Sequence, residues 1–78
     1  MPKKLISIVT PLYNEEENVN ELYRQISKVM VSERRYNFEI IAVEHGSTDS
    51  TFKKLLSINS RDKRLKILQL CVQDNKLL

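Results

Sequence analysis

Phe38-Glu39-Ile40-Ile41-Ala42-Val43, followed at once by Glu44-His45-Gly46-Ser47, is the stretch that decides the fold. Four consecutive apolar residues leave neither side of a strand polar, as expected of a strand in a covered parallel sheet. A parallel strand is reached and left through crossovers, so helical patterns should lie on either side of it in sequence. They do. On the N-terminal side Val19, Leu22, Ile26, Val29 and Met30 recur at steps of three and four, one stripe of a helix with Tyr23 at its edge. Asn14 and Glu17, three residues apart, make a capping-box-like start for that helix, and Arg34 and Arg35 suit its C-terminal end. On the C-terminal side Ser47, Thr48 and Asp49 offer N-caps for a second helix whose apolar stripe is Phe52, Leu55, Leu56 and Ile58.

Two further strands complete the pattern. Leu5-Ile6-Ser7-Ile8-Val9 is rich in β-branched residues, and Pro11, which cannot donate to a ladder, marks its exit. Leu65 to Leu70 is the third strand, preceded by the polar, turn-like segment 59–64. Strand–helix–strand–helix–strand at these lengths means two crossovers, which are almost always right-handed. The chain is therefore read as α/β, a Rossmann-like βαβαβ half with three parallel strands, the first flanked by the second, and two helices on the sheet faces.

Composition agrees and narrows the function. The chain has 78 residues, 41% apolar and 29% charged, with one Gly and two Pro: globular, neither disordered nor collagen-like. Its single cysteine, Cys71, cannot form an internal disulfide, which fits a reducing, cytoplasmic setting. The apolar run after Lys3-Lys4 is too short for a signal-peptide core, and no stretch approaches the roughly 20 apolar residues of a membrane span. The net charge of +3 comes from scattered doublets, and only Arg61, Lys63, Arg64 and Lys66 resemble a patch. That group contains no aromatic for base stacking, so it is read as a solvated face and not a nucleic-acid site.

Ligands of such sheets bind beyond the carboxyl ends of the strands. Two polar segments lie there, 10–15 and 44–49, and they should face one crevice. A single Gly furnishes neither a G-x-G-x-x-G nor a P-loop, which sets aside the usual dinucleotide and nucleoside-triphosphate chemistries. The residues suit a nucleoside instead. Tyr13 can stack on a base. Glu15 and Glu44 can accept hydrogen bonds from base or ribose, and backbone N–H groups near Ser47 and Thr48 can receive an anionic group. Each also has a plain structural reading: Tyr13 capping the core, Glu15 serving the helix dipole, Ser47 acting as an N-cap.

The string Ile6 to Glu16, with Thr10-Pro11-Leu12-Tyr13-Asn14-Glu15, resembles the first strand and turn of the family 2 glycosyltransferases of GT-A type. Ile40 to Thr51 resembles their second strand and Asp-Asp-Gly-Ser-Thr-Asp turn, and Asp62-Lys63-Arg64-Leu65-Lys66 the lead into their third strand. The wording is most similar to polyprenyl- and dolichyl-phosphate sugar transferases. The resemblance implies a nucleotide-diphosphate sugar of UDP or GDP type as donor, a divalent metal (Mn or Mg), and an acceptor such as a polyprenyl phosphate. It places Pro11, Tyr13 and Glu15 around base and ribose, and matches Glu44 to the acid that contacts the base. Residues 1–78 would be the N-terminal, nucleotide-sugar-binding part of such a domain.

Three departures stand out. Glu44 replaces Asp, His45 replaces a second acid, and Cys71-Val72-Gln73-Asp74-Asn75-Lys76 replaces the family's Ser-Arg-Asn-Phe-Gly-Lys. The family's Asp-X-Asp metal motif, acceptor site and catalytic base come later than Leu78. A truncated transferase domain, inactive alone, is thus the first expectation, cytoplasmic or at the cytoplasmic membrane face in a longer form. The alternative is a non-catalytic binding module that self-associates through an open sheet edge.

Overall fold

The computed structural model describes residues 2–70; Cys71 and the Asp74–Asn75 pair lie outside them. The elements are β1 (Lys4–Leu12), α1 (Val19–Ser32), β2 (Tyr36–Glu44), α2 (Thr51–Arg61) and β3 (Leu65–Gln69). The strands form one parallel sheet in the order β1-β2-β3, as the sequence pattern predicts. Leu12 and Glu44 stand opposite one another, so β1 and β2 end at the same level and release their following loops side by side.

Two right-handed crossovers that step in the same direction carry both helices to one face. The core shows this. Leu12 from β1, Ile40 and Ala42 from β2 and Leu65 from β3 share that face, and they pack with Val19 and Met30 of α1 and Leu55 and Ile58 of α2. The void left among them is only about 10 Å³, too small for any ligand. The expected coverage of both sheet faces is therefore corrected. The opposite face, carrying Leu5, Val9, Ile41, Val43 and Leu68, has no helix on it among the described residues, and Val9 is 62% exposed.

Two helix positions also depart from the stripe. Val29 and Leu56 are exposed, while Leu22 and Ile26 pack beside the core. Tyr23, at the stripe's edge, ties α1 to the turn before β3, its hydroxyl donating to Asp62 Oδ2 at 2.5 Å. Asp62 also takes both Nε and Nη2 of Arg64, at 3.0 and 2.7 Å. These bonds, chiefly Arg64's, hold its carboxyl well below the usual range despite partial burial.

Pro11 does not end β1, which runs on to Leu12. The Leu12 carbonyl accepts the His45 N–H at 3.0 Å, so Leu12 directs its backbone at β2. Alternation then points Pro11 away from β2, toward the free edge of the sheet, where no ladder bond is lost.

Leu55 is 2% exposed and Leu56 47%. Leu55→Ala should lower unfolding free energy by about 3 kcal/mol, and Leu56→Ala by about 0.5 kcal/mol or less, in urea titrations of the 78-residue chain. Equal losses would show that α2 does not present this face to the sheet.

Candidate functional site

The two loops at the carboxyl ends of β1 and β2 are joined to each other. The Asn14 N–H donates to Ser47 Oγ at 2.9 Å, and Asn14 Oδ1 in return accepts the Thr48 N–H at 2.9 Å. One residue on, the Glu15 N–H donates to Thr51 Oγ1 at 2.8 Å, and the Glu16 N–H to Asp49 Oδ2 at 3.2 Å. The exchange runs both ways, since Glu16 Oε1 accepts the Ser50 N–H at 2.8 Å and the Glu16 carbonyl accepts Lys54 Nζ at 2.6 Å. Peptide groups that leave a sheet must find partners elsewhere, and here they find side chains of the facing loop.

These bonds correct both expected helix starts. Asn14 is not an N-cap; it sits at φ 51°, left-handed, with its side chain on the other loop. Helix α1 begins at Val19 after the turn in which Asn18 and Val19 N–H groups donate to the Glu15 carbonyl. Ser47 and Thr48 are not caps of α2 either. That helix begins at Thr51, whose N–H is accepted by Asp49 Oδ1 at 2.9 Å. Tertiary partners have taken Asn14 and Ser47, while Asp49, the third candidate cap, still accepts the first N–H of α2.

Glu44 is fully buried at the end of β2. Its carboxylate curls back along its own chain: Oε1 accepts the Ser47 N–H at 2.6 Å and Oε2 the Gly46 N–H at 3.2 Å, where Gly46 takes a φ of 77°. Burial works against its ionisation. The Ser47 hydroxyl, the two N–H groups and the Gln69 amide outweigh that penalty and hold the carboxyl below its ordinary range. Asp49 behaves alike, its partial burial outweighed by the Thr51 hydroxyl and N–H and by the Glu16 N–H.

Of the residues singled out in the sequence, Tyr13 is 55% exposed beside the loops, and Glu15 is half-buried with Oε2 accepting the Asn18 amide at 3.0 Å. Pro11 is exposed on β1, Ser47 is half-buried within the loop junction, and His45 is exposed. The backbone donors expected to await an anion are occupied: those of Gly46 and Ser47 by Glu44, that of Thr48 by Asn14, that of Ser50 by Glu16 and that of Thr51 by Asp49. An open polar groove lies alongside, lined by residues 14–18 with Thr48 and Asp49. Its four carboxylates, Glu15, Glu16, Glu17 and Asp49, disfavour a phosphate there. Among the described residues no three His, Cys, Asp or Glu side chains are placed to hold a metal ion, so the divalent metal that the resemblance implies has no ligand set in this part of the chain. The Arg61–Lys66 group is largely engaged, Arg64 with Asp62 and Lys66 with Glu39, and Arg61 reaches the Ser57 carbonyl.

Asn14, Glu16, Asp49 and Thr51 were missed as organisers of the site. Nothing local marks them, because each acts on a residue more than thirty positions away.

Three parallel strands in one sheet, two helices and two joined loops at the carboxyl ends of adjacent strands make a Rossmann-like α/β half, consistent with half of a GT-A fold. The comparisons carry this further. Residues 7–73 match the family described as glycosyl transferase family 2, and the chain belongs to that family. It is 37% identical over 65 residues to an uncharacterised glycosyltransferase of Synechocystis sp., covering 83% of this chain and 20% of that protein. A dolichol-phosphate mannosyltransferase of Pyrococcus furiosus is 34% identical over 56 residues, 72% of this chain and 15% of the relative. An undecaprenyl-phosphate 4-deoxy-4-formamido-L-arabinose transferase of Pseudomonas fluorescens is 34% identical over 61 residues, 78% and 18% respectively. The chain thus spans about a fifth or less of the length of the curated relatives it matches.

The Glu44 and Asp49 carboxyls both titrate below their ordinary values, which fixes a sign. A group whose pKa is lowered in the folded state stabilises fully above its unfolded value, about 4, and that stability is lost as pH falls through the folded value. The urea midpoint should therefore hold from about pH 7 to about pH 5 and drop as pH falls below about 4. Glu44→Gln should lower the midpoint at neutral pH and flatten the acid limb. A Glu44→Gln chain with the parent's midpoint and slope would show that this carboxylate does not hold the turn.

Proposed function

We propose that this chain binds the nucleoside part of a nucleotide-diphosphate sugar of UDP or GDP type. The observation that supports this most is the pairing of the 13–16 and 44–51 loops at the level where β1 and β2 end together. In this reading the exposed Tyr13 ring stacks on the base and Glu15 accepts from base or ribose, with Pro11 shaping the approach. Glu44 and Ser47 form the opposite wall. A direct contact from Glu44 to the base requires its carboxylate to leave the Gly46 and Ser47 N–H groups. The diphosphate projects away from the acidic groove, toward groups that the described residues do not supply.

For the whole protein of this kind the reading is transfer of the sugar to a polyprenyl phosphate, by analogy with the dolichol- and undecaprenyl-phosphate transferases among the relatives. A divalent metal, Mn or Mg, would neutralise the leaving diphosphate in such a protein. Among the described residues no helix is long and apolar enough to cross a membrane; work at the cytoplasmic membrane face belongs to the same proposal. Self-association through the sheet is a further part of it, and β1 and β3 each leave one edge unpaired among the described residues.

Binding should be weak, about millimolar or −4 kcal/mol, because only the nucleoside half of the contacts is present. In an NMR titration of the 78-residue chain with UDP and GDP, shifts should cluster at 10–15 and 44–49, be insensitive to added manganese, and weaken in Tyr13→Ala. Shifts gathered instead at 61–66, or a Tyr13→Ala chain that binds like the parent, would sink the nucleoside reading. With donor sugar, metal and polyprenyl phosphate the chain alone should show no transfer above blank; turnover lost on Glu44→Ala would place the chemistry within these residues.

A further inference from the structure

We infer that Asn14 is the positioning residue of this crevice, locking the two loops in place before any ligand arrives. The inference deepens the nucleoside reading and rests on it for its binding consequence. Asn14 lies between Tyr13 and Glu15, the two groups assigned to the nucleoside, so its conformation sets where both point. Its φ of 51° makes it the one non-glycine residue with positive φ among the described residues. Asn tolerates that region better than most residues, and it stays there when surrounding bonds over-determine it.

Those bonds run both ways through one residue, as they also do at Glu16. The main chain of Asn14 gives its N–H to Ser47 Oγ, and its side chain takes the Thr48 N–H through Oδ1, both at 2.9 Å. The Thr48 hydroxyl lies 3.4 Å from the same oxygen. Ser47 is held in turn by the buried Glu44, whose Oε1 accepts its N–H at 2.6 Å. A continuous chain of contacts therefore runs from the buried end of β2 through Ser47 to Asn14, and so to the flanks of Tyr13. The amide combines two properties at this position: it accepts from Thr48, and it tolerates the left-handed backbone. Asp is the nearest substitute, with the same acceptor and a similar tolerance for that backbone; Gly keeps the backbone and loses the acceptor.

Hydrogen exchange and titration separate the parts. In the nucleotide-free chain, Asn14→Gly should expose the Thr48 amide to exchange about tenfold faster, the loss of one hydrogen bond, while Asn14→Asp should keep it protected. UDP and GDP affinity should fall about tenfold in Asn14→Gly, with a urea midpoint near the parent's. Thr48 protection unchanged in Asn14→Gly would overturn the proposal, as would protection lost equally in Asn14→Asp, or affinity unchanged once protection is lost. A parent chain that binds neither nucleotide would remove the nucleoside reading, and Thr48 exchange would then decide the lock alone.

Discussion

Peptide N–H groups that emerge from the ends of two adjacent strands have no further strand to meet, and the structure of this crevice follows from where they go. A donor that is shut off from water needs an acceptor, or its desolvation costs about 1–3 kcal/mol. Exposed donors such as those of Asn14 and Thr48 gain order from theirs. Here the acceptors are side-chain oxygens of Glu44, Asn14, Glu16, Ser47, Asp49 and Thr51. That accounts for the composition of the loops, which are short polar residues around one glycine. It also separates this turn from phosphate-cradling loops, where the same donors are left open for the ligand. A turn that satisfies itself presents a ring and a carboxylate, not a nest of free N–H groups.

The periodic parts of the fold were legible because they are local. The stripes of α1 and α2 and the apolar run of β2 follow from residues within one element, and strand order follows from the crossovers. The ends were not legible. Asn14 to Glu17 reads as a capping box and Ser47 to Asp49 as caps, and both patterns are chemically sound. Asn14 and Ser47 had partners across the crevice, more than thirty residues away, which no window along the sequence can reveal. Pro11 was misread for a related reason: only knowing which edge of β1 is free shows that its missing N–H costs nothing.

The site was half legible. Tyr13 and Glu15 stand where the strand-end rule puts them. Glu44 stands there as well, but residue type alone does not say which way a carboxylate turns. Here it folds onto the Gly46 and Ser47 N–H groups of its own turn. The run Ile40-Ile41-Ala42-Val43 promised cover on both sides and received it on one. On the open face Glu39 is occupied by Ser7 and Lys66, so the polar residues there are internally paired beside Val9 and Leu68.

The bonds that join the loops bridge sequence separations of 33, 34 and 36 residues. Contacts of that span form only after the intervening chain has closed on itself, because loop-closure entropy must be met first. Helix α1 and its packing on β1 and β2 supply that closure. The crevice accordingly takes shape only when β1 and β2 have come together, and it comes apart when they separate. During synthesis it does not exist until Thr51 has emerged and β2 has paired, so the left-handed turn at Asn14 is something a finished βαβ unit imposes on the chain.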